Sequence, residues 1–127
     1  MNLTQSKVHP TISVTDLIRA KEFYGTTLGL EVQEEMDGHI AYKAGQGTYL
    51  VVFQRMDAPK AENTVASFSV DNVEATVNWL RERGVDFEEY DTPGLKTVNG
   101  IATTANFEGA WFKDPDGNTL AITSAQF

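Results

Sequence analysis

The sequence contains no cysteine. That excludes a disulfide framework, thiolate-bound metals, iron–sulfur clusters and a cysteine nucleophile, and it leaves any metal to His, Asp or Glu. Long apolar runs are missing too. No stretch approaches a membrane span, and the N-terminal MNLTQSKVHPTISV has no basic region leading into an apolar one. The expectation is a cytoplasmic protein with no membrane partner. Cations are in deficit, with 10 Lys and Arg against 18 Asp and Glu and a formal net charge of -8. The few cations are scattered, which argues against nucleic acid as a partner. The acidity favours solubility and specifies no substrate.

The 127 residues suit one compact domain, 1–127, able to bury a core without disulfides or metals. From Val8 to Val14, apolar and polar residues alternate with period two, the pattern of a half-buried strand. Thr15 or Asp16 can cap the amphipathic helix that follows, in which Leu17, Ala20, Phe23, Tyr24 and Leu28 recur at helical spacing before Gly29. Three short antiparallel strands come next, Glu31–Met36, His39–Lys43 and Thr48–Gln54, with turns at Asp37-Gly38 and Gly45-Gln46-Gly47. This first unit covers about residues 5–54, and residues 55–63, with Pro59 and mixed charges, read as a linker.

In the second unit, about residues 64–125, the order begins again. A strand over Thr64–Val70 precedes a helix from about Asn72 to Arg83 with Gly84 as its stop, then a strand near Asp86–Tyr90. A loop over Thr92–Ala105 leads to a final hairpin, Asn106–Lys113 and Asn118–Ser124, around Asp114-Pro115-Asp116-Gly117. That run is read as a turn and not as a site. At one constant offset Ile12 matches Phe68, Ser13 matches Ser69, Val14 matches Val70, Asp16 matches Asn72 and Phe23 matches Trp79, which marks an internal duplication. Phe23, Phe68, Trp79 and Leu80 are expected to fill the space between helices and sheets.

Several pieces together carry a resemblance: His9 with Val14-Thr15-Asp16, Phe23-Tyr24, Leu28-Gly29-Leu30, Ser69-Val70-Asp71, and the run from Phe112 to Asn118. In this order they resemble the vicinal oxygen chelate superfamily, which holds glyoxalase I, extradiol dioxygenases and bleomycin-binding proteins. The resemblance covers nearly the whole chain. It implies an α+β fold of two tandem βαβββ units whose curved mixed sheets surround a cavity, with helices on the outer faces. It does not imply one chemistry, because the fold hosts several.

The resemblance also implies where a metal would be held, on the first and fourth strand of each unit. Those positions fall on His9 and Val51 in the first unit and on Val65 and Ala121 in the second. Three are aliphatic, and one imidazole is too little to hold a divalent ion, so no metal and no cofactor are expected. Glu31, Glu34, Glu35, Asp37, Glu88, Glu89 and Asp91 read as solvated charges, and His39 as a surface residue after its turn.

Period-two alternation then assigns the cavity wall. His9, Thr11 and Ser13 face inward on the first strand, Val65, Ser67 and Ser69 on its repeat, and Tyr49, Val51 and Phe53 on the fourth strand. Trp111 is expected opposite Ala121 in the last hairpin, and Tyr42 opposite Tyr49 in the first unit. Such a wall suits a small aromatic or amphipathic molecule bound without a metal. The alternative is a metal-independent lyase, isomerase or hydrolase with His9 as acid or base. A divalent-metal glyoxalase or dioxygenase stands third. A homodimer is expected from the habit of small members of this superfamily and from open sheet edges.

Overall fold

A computed structural model of the chain describes residues 2–57 and 60–126. It separates into two compact units, Met1–Pro59 and Lys60–Phe127. Of the expected linker, Ala58 and Pro59 lie outside the described residues. The fold is α+β, with two tandem βαβββ units.

In unit 1, β1 (Thr11–Val14) leads to α1 (Leu17–Lys21), which runs into a π-helical turn, Glu22–Thr27. The Asp16 carboxylate caps the helix by accepting from the amides of Ile18 (3.0 Å) and Arg19 (3.1 Å), donors that would otherwise lack a partner. Gly29, at φ 77, lets the chain leave the helix. Then come β2 (Val32–Met36), β3 (His39–Lys43) and β4 (Tyr49–Gln54), and the sheet order is β1-β4-β3-β2 with β1 parallel to β4. Alternation sends Ile12, Val14, Ile40, Tyr42, Leu50 and Val52 to one face, each at most 2% exposed, and Ala20 and Tyr24 of the helical segment are buried with them. Burying side chains of this size stabilises by roughly 1.5–3 kcal/mol each.

Unit 2 repeats this order and enlarges it. β5 (Thr64–Ser69) leads to α2 (Val73–Glu82), capped by the Asn72 side chain and buried along Val73, Val77 and Leu80. Trp79 lies one position off that stripe. It is 43% exposed beneath the Arg83 guanidinium, 4.6 Å from the ring centroid, and so does not fill the core as expected. The sheet then takes β6 (Asp91–Thr92), β7 (Leu95–Val98), β8 (Ile101–Thr103), β9 (Glu108–Lys113) and β10 (Thr119–Thr123) in the order β5-β10-β9-β8-β7-β6.

Two expectations are corrected here. Residues 86–90 form no strand and contribute only a bridge, Phe87 to Phe112. The expected loop over Thr92–Ala105 instead holds the β7–β8 hairpin, turned by Asn99 (φ 53) and Gly100 (φ 80), the left-handed pair that suits a two-residue hairpin. The Glu89 carboxylate pins that hairpin by accepting from the Gly100 amide and from the Thr97 hydroxyl.

The last hairpin has the expected register, with Lys113 opposite Thr119, Phe112 opposite Leu120 and Trp111 opposite Ala121. Its turn is held by Asp114, 4% exposed, which accepts from the amides of Asp116 and Asn118 and from the Asn118 side chain. Asn118 in turn accepts from the Ala61 amide, and Thr119 donates to the Ala61 carbonyl, so the turn clamps the segment entering β5.

Candidate functional site

Each sheet has one face under its helix and one face without it, and the second carries most of the expected site residues. In unit 1 this open face presents Thr11 and Ser13 from β1, Tyr49, Val51 and Phe53 from β4, and His39 and Ala41 from β3. The register sets Thr11, Val51, Ala41 and Glu34 in one row and Ser13, Phe53, His39 and Met36 in the next. His9, just before β1, stands edge-on to Tyr49 with ring centroids 6.4 Å apart. Lys7 Nζ lies 5.9 Å from the centroid of the same Tyr49 ring. A hollow of about 330 Å³ opens here between His9, Tyr49 and Val51 on one side and His39, Ala41, Glu34 and Gln33 on the other.

Two unit 1 residues stand elsewhere than expected. The turn Gly45–Gly47 is a short 3-10 segment that pairs Lys43 with Tyr49 and Tyr42 with Leu50. Tyr42 therefore points to the helix face, fully buried, and is not part of the open wall. Its ring lies 6.1 Å from that of Tyr24, and its hydroxyl has no hydrogen-bond partner among the described residues. Burial, with a smaller contribution from the Glu35 carboxylate, pushes its ionisation up to about 12. His39 goes the other way. It is half-buried on the hollow and not simply at the surface, because it shares the face of Ala41 and lies opposite Phe53.

The open face of unit 2 carries Ser67 and Ser69 from β5, Trp111 and Lys113 from β9, and Ala121 from β10. Val65 departs from the simple alternation. Thr64 pairs with Thr119 and Ala66 with Leu120, so Val65 is the extra residue of a bulge, and counting by twos does not assign its side. Tyr90 sits edge-on to Trp111 with centroids 5.6 Å apart. Gly109 lies beneath the indole, where a Cβ would come within 3.3 Å of Trp111 Cη2 and 3.5 Å of Phe107 Cε2. Sequence reasoning missed Tyr90, which no periodicity connects to Trp111, and Phe107, which counting by twos from Trp111 through Gly109 would have placed on the same face. On the helix side of this sheet a second hollow of about 590 Å³ lies between α2 and the added strands, bounded by Asn78, Arg81, Lys96, Val98 and Ile101 among others.

A divalent ion of the kind used by enzymes resembling this fold does not fit these residues. At the four positions named above, Val51 stands in the ladder beside Thr11, Ala121 is paired with Ser67 and Trp111, and Val65 offers no donor atom. Among the described residues no group of three His, Cys, Asp or Glu could hold a metal ion. His9 has no hydrogen-bonded group to orient its imidazole among the described residues, whereas a catalytic imidazole is ordinarily held by a partner.

This arrangement of strands, helices and open faces agrees with what sequence comparison finds. The chain belongs to the Glyoxalase/Bleomycin resistance protein/Dioxygenase superfamily, whose profile matches residues 7–122. It is similar to a glyoxalase/bleomycin resistance protein from Streptomyces sp. CB03234, 27% identical, with 92% of this chain and 98% of that chain covered and a TM-score of 0.68. An antibiotic binding protein from the same organism is 24% identical over 96% of this chain and 97% of that one, with a TM-score of 0.68. The glyoxalase family protein from Enterococcus faecalis is 22% identical over 96% and 99% of the two chains, with a TM-score of 0.71. No curated protein sequence matches the chain.

Proposed function

We propose that this member of the superfamily is a binding protein that holds a small aromatic or amphipathic organic molecule on its open sheet faces without a metal ion. The observation that carries this reading is the substitution of the superfamily's ligand positions. Val51, Val65 and Ala121 supply no donor, while Tyr49 and Phe53 in unit 1 and Trp111 and Tyr90 in unit 2 offer ring surface. The similarity to an antibiotic binding protein supports it. Thr11, Ser13, Ser67 and the aromatic rings make the contacts with the ligand. An acid–base role for His9 draws no support from an imidazole that lacks an orienting partner among the described residues. The same reading has two copies of the chain pairing and acting in the cytoplasm. No described helix is long and apolar enough to cross a membrane.

Elemental analysis of protein purified without chelator, combined with native mass spectrometry, tests the proposal. The expected result is metal far below one ion per chain, with any retained mass belonging to an organic compound. One tightly held ion per chain would overturn it.

A further inference from the structure

α2 packs on β9 and β10, and where β7 and β8 extend the sheet past its flank a hollow of about 590 Å³ opens, within the range of about 300–1,000 Å³ usual for small-molecule sites. It lies on the helix side of unit 2. Thr103 pairs with Glu108, which shares its face with Phe112, whereas Gly109 and Trp111 point the other way. Glu74, Asn78 and Arg81 border the hollow at spacing i, i+4 and i+7, one stripe along α2. The rise of the helix sets Glu74 and Arg81 about 10 Å apart. The two ends of this stripe differ in charge. At one, the Arg81 guanidinium donates to the Asn99 carbonyl at 2.6 Å and lies 5.5 Å from the Phe87 ring centroid, which fixes it and leaves most of its N–H donors unused among the described residues. Glu108 belongs to the other end, because β8 runs from the Asn99-Gly100 turn, where Arg81 docks, to Thr103, its partner. Glu74 stands there too: α2 begins after Ser69, and Ser69, Thr123 and Gly109 share a rung beside Glu108. Lys96, next to Thr97 on β7, offsets one of these two carboxylates. Among the described residues Glu74, Glu108, Lys96 and the Asn78 amide make no ion pair or side-chain hydrogen bond, and Arg81 has no carboxylate partner. Opposite charges thus face one space without meeting across it.

We propose that this hollow is a second binding site, one that takes short zwitterionic peptides of about three residues with free ends. An extended tripeptide spans about 10 Å, the separation of the two charged ends. Its ammonium group meets Glu74 and Glu108. Its carboxylate meets Arg81, a charge-assisted pairing to which guanidinium geometry is suited. Asn78, midway along the stripe, offers a donor and an acceptor to the peptide groups between the ends. A side chain of the peptide rests on Val98 and Ile101, which share a rung, Val98 being 65% exposed. A ligand with one charge satisfies one end, and a free amino acid carries its charges too close together to reach both. The site is separate from the open sheet faces, so it stands or falls independently of the ligand proposed for them.

Titration of the nitrogen-15-labelled whole chain with the tripeptide Ala-Leu-Ala, followed by amide NMR shifts at low salt, tests this. The backbone amides of Gly100 and Thr103 and the side-chain amide of Asn78 are expected to move, while those of Ala41 and Val51 on the unit 1 open face stay in place. Acetylating the peptide's amino end or amidating its carboxyl end should each weaken binding at least about threefold, the size of one exposed ion pair. Free alanine should bind no better than either blocked peptide. Glu74→Gln, in the exposed first turn of α2, should weaken the free peptide at least about twofold and leave the acetylated one unchanged, since that peptide has already lost the group Glu74 meets. 8-Aminooctanoate has a similar span of charge but no peptide groups, and should bind at least about threefold more weakly because Asn78 finds nothing to pair with. Shifts absent at Gly100, Thr103 and Asn78, or binding indifferent to the blocked ends and to Glu74→Gln, would overturn the site. Equal binding of 8-aminooctanoate would overturn the choice of a peptide as its ligand.

Discussion

In unit 1 the pair Tyr42 and Leu50 stands on the helix side of β3 and β4; in unit 2 the same places hold Phe112 and Leu120. The correspondence runs on to the other face, where Ala41 and Val51 match Trp111 and Ala121, and His39 and Phe53 match Gly109 and Thr123. At these open-face rungs the two copies place their bulk differently: Trp111 stands where unit 1 has Ala41, and His39 and Phe53 stand where unit 2 has Gly109 and Thr123. The helix side shows that such exchange has limits. There both copies keep an aromatic ring beside a leucine, and they differ by one hydroxyl, which in Tyr42 finds no partner among the described residues. The large ring is thus kept where it is fully buried under the helix, at Tyr42 and Phe112, while the place of the rings on the open face differs between the copies.

The largest expected effect comes from removing the ring that both copies keep. Phe112→Ala should cost about 3–5 kcal/mol in urea unfolding, as deletion of a fully buried ring does. Next is a device that unit 2 alone possesses. Asp114→Ala leaves three donors in a buried turn without their acceptor and should cost about 2–3 kcal/mol, whereas Thr48→Ala in the corresponding turn of unit 1 loses a hydroxyl bonded to the exposed Gly45 carbonyl and should cost under about 1 kcal/mol. Tyr42→Phe makes unit 1 resemble unit 2. It removes an unpartnered buried hydroxyl and should raise stability by up to about 1 kcal/mol.

Tyr42→Phe also carries a pH signature. Because the folded state raises this phenol from 10.0 to about 12, it contributes fully below the unfolded value and its contribution is lost as pH rises through that window. Ultraviolet titration should show one tyrosine fewer ionising near the upper value in the variant than in the native protein. The smallest effect is expected at Gly109→Ala. The added methyl presses on Trp111, which must move by a few tenths of an ångström, for a cost of about 0.5 kcal/mol or less. In a Trp79→Phe background, where Trp111 is the only indole, its emission should shift measurably.

The duplication, the first helix cap, the Asp37-Gly38 turn and the register of the last hairpin were all legible from spacing, because each is set by local chemistry: a carboxylate before a helix, a glycine in a turn, alternation on either side of a fixed loop. The facing of Tyr42 was not legible. A turn that pairs Lys43 with Tyr49 cannot be distinguished by composition from one that pairs Tyr42 with it, and one residue of slip reverses the face. His39 was misplaced with it, and Val65 fell to a bulge that leaves no mark on hydrophobic period. The β7–β8 hairpin had a signal in Asn99-Gly100, but its strands are too short to show alternation, and the glycine and proline around them resemble a loop. Of the wall residues, those on β1, β4 and β9 needed only counting by twos. Tyr90 reaches Trp111 from a segment outside regular strands, where no period applies.

The parallel pairing of β5 with β10 has a consequence for how the chain is made. As synthesis proceeds, unit 1 has every strand it needs once Gln54 is available, but Thr64 must wait for Thr119 and the Ala61 amide for Asn118. Until the final hairpin emerges, one edge of β5 has neither neighbour nor clamp. Closing so distant a pair is slow because the intervening chain must first be ordered. Unit 2 should therefore be the later unit to fold, and the Asp114-to-Asn118 turn, with its early local hydrogen bonds, acts as the template on which the waiting strand docks.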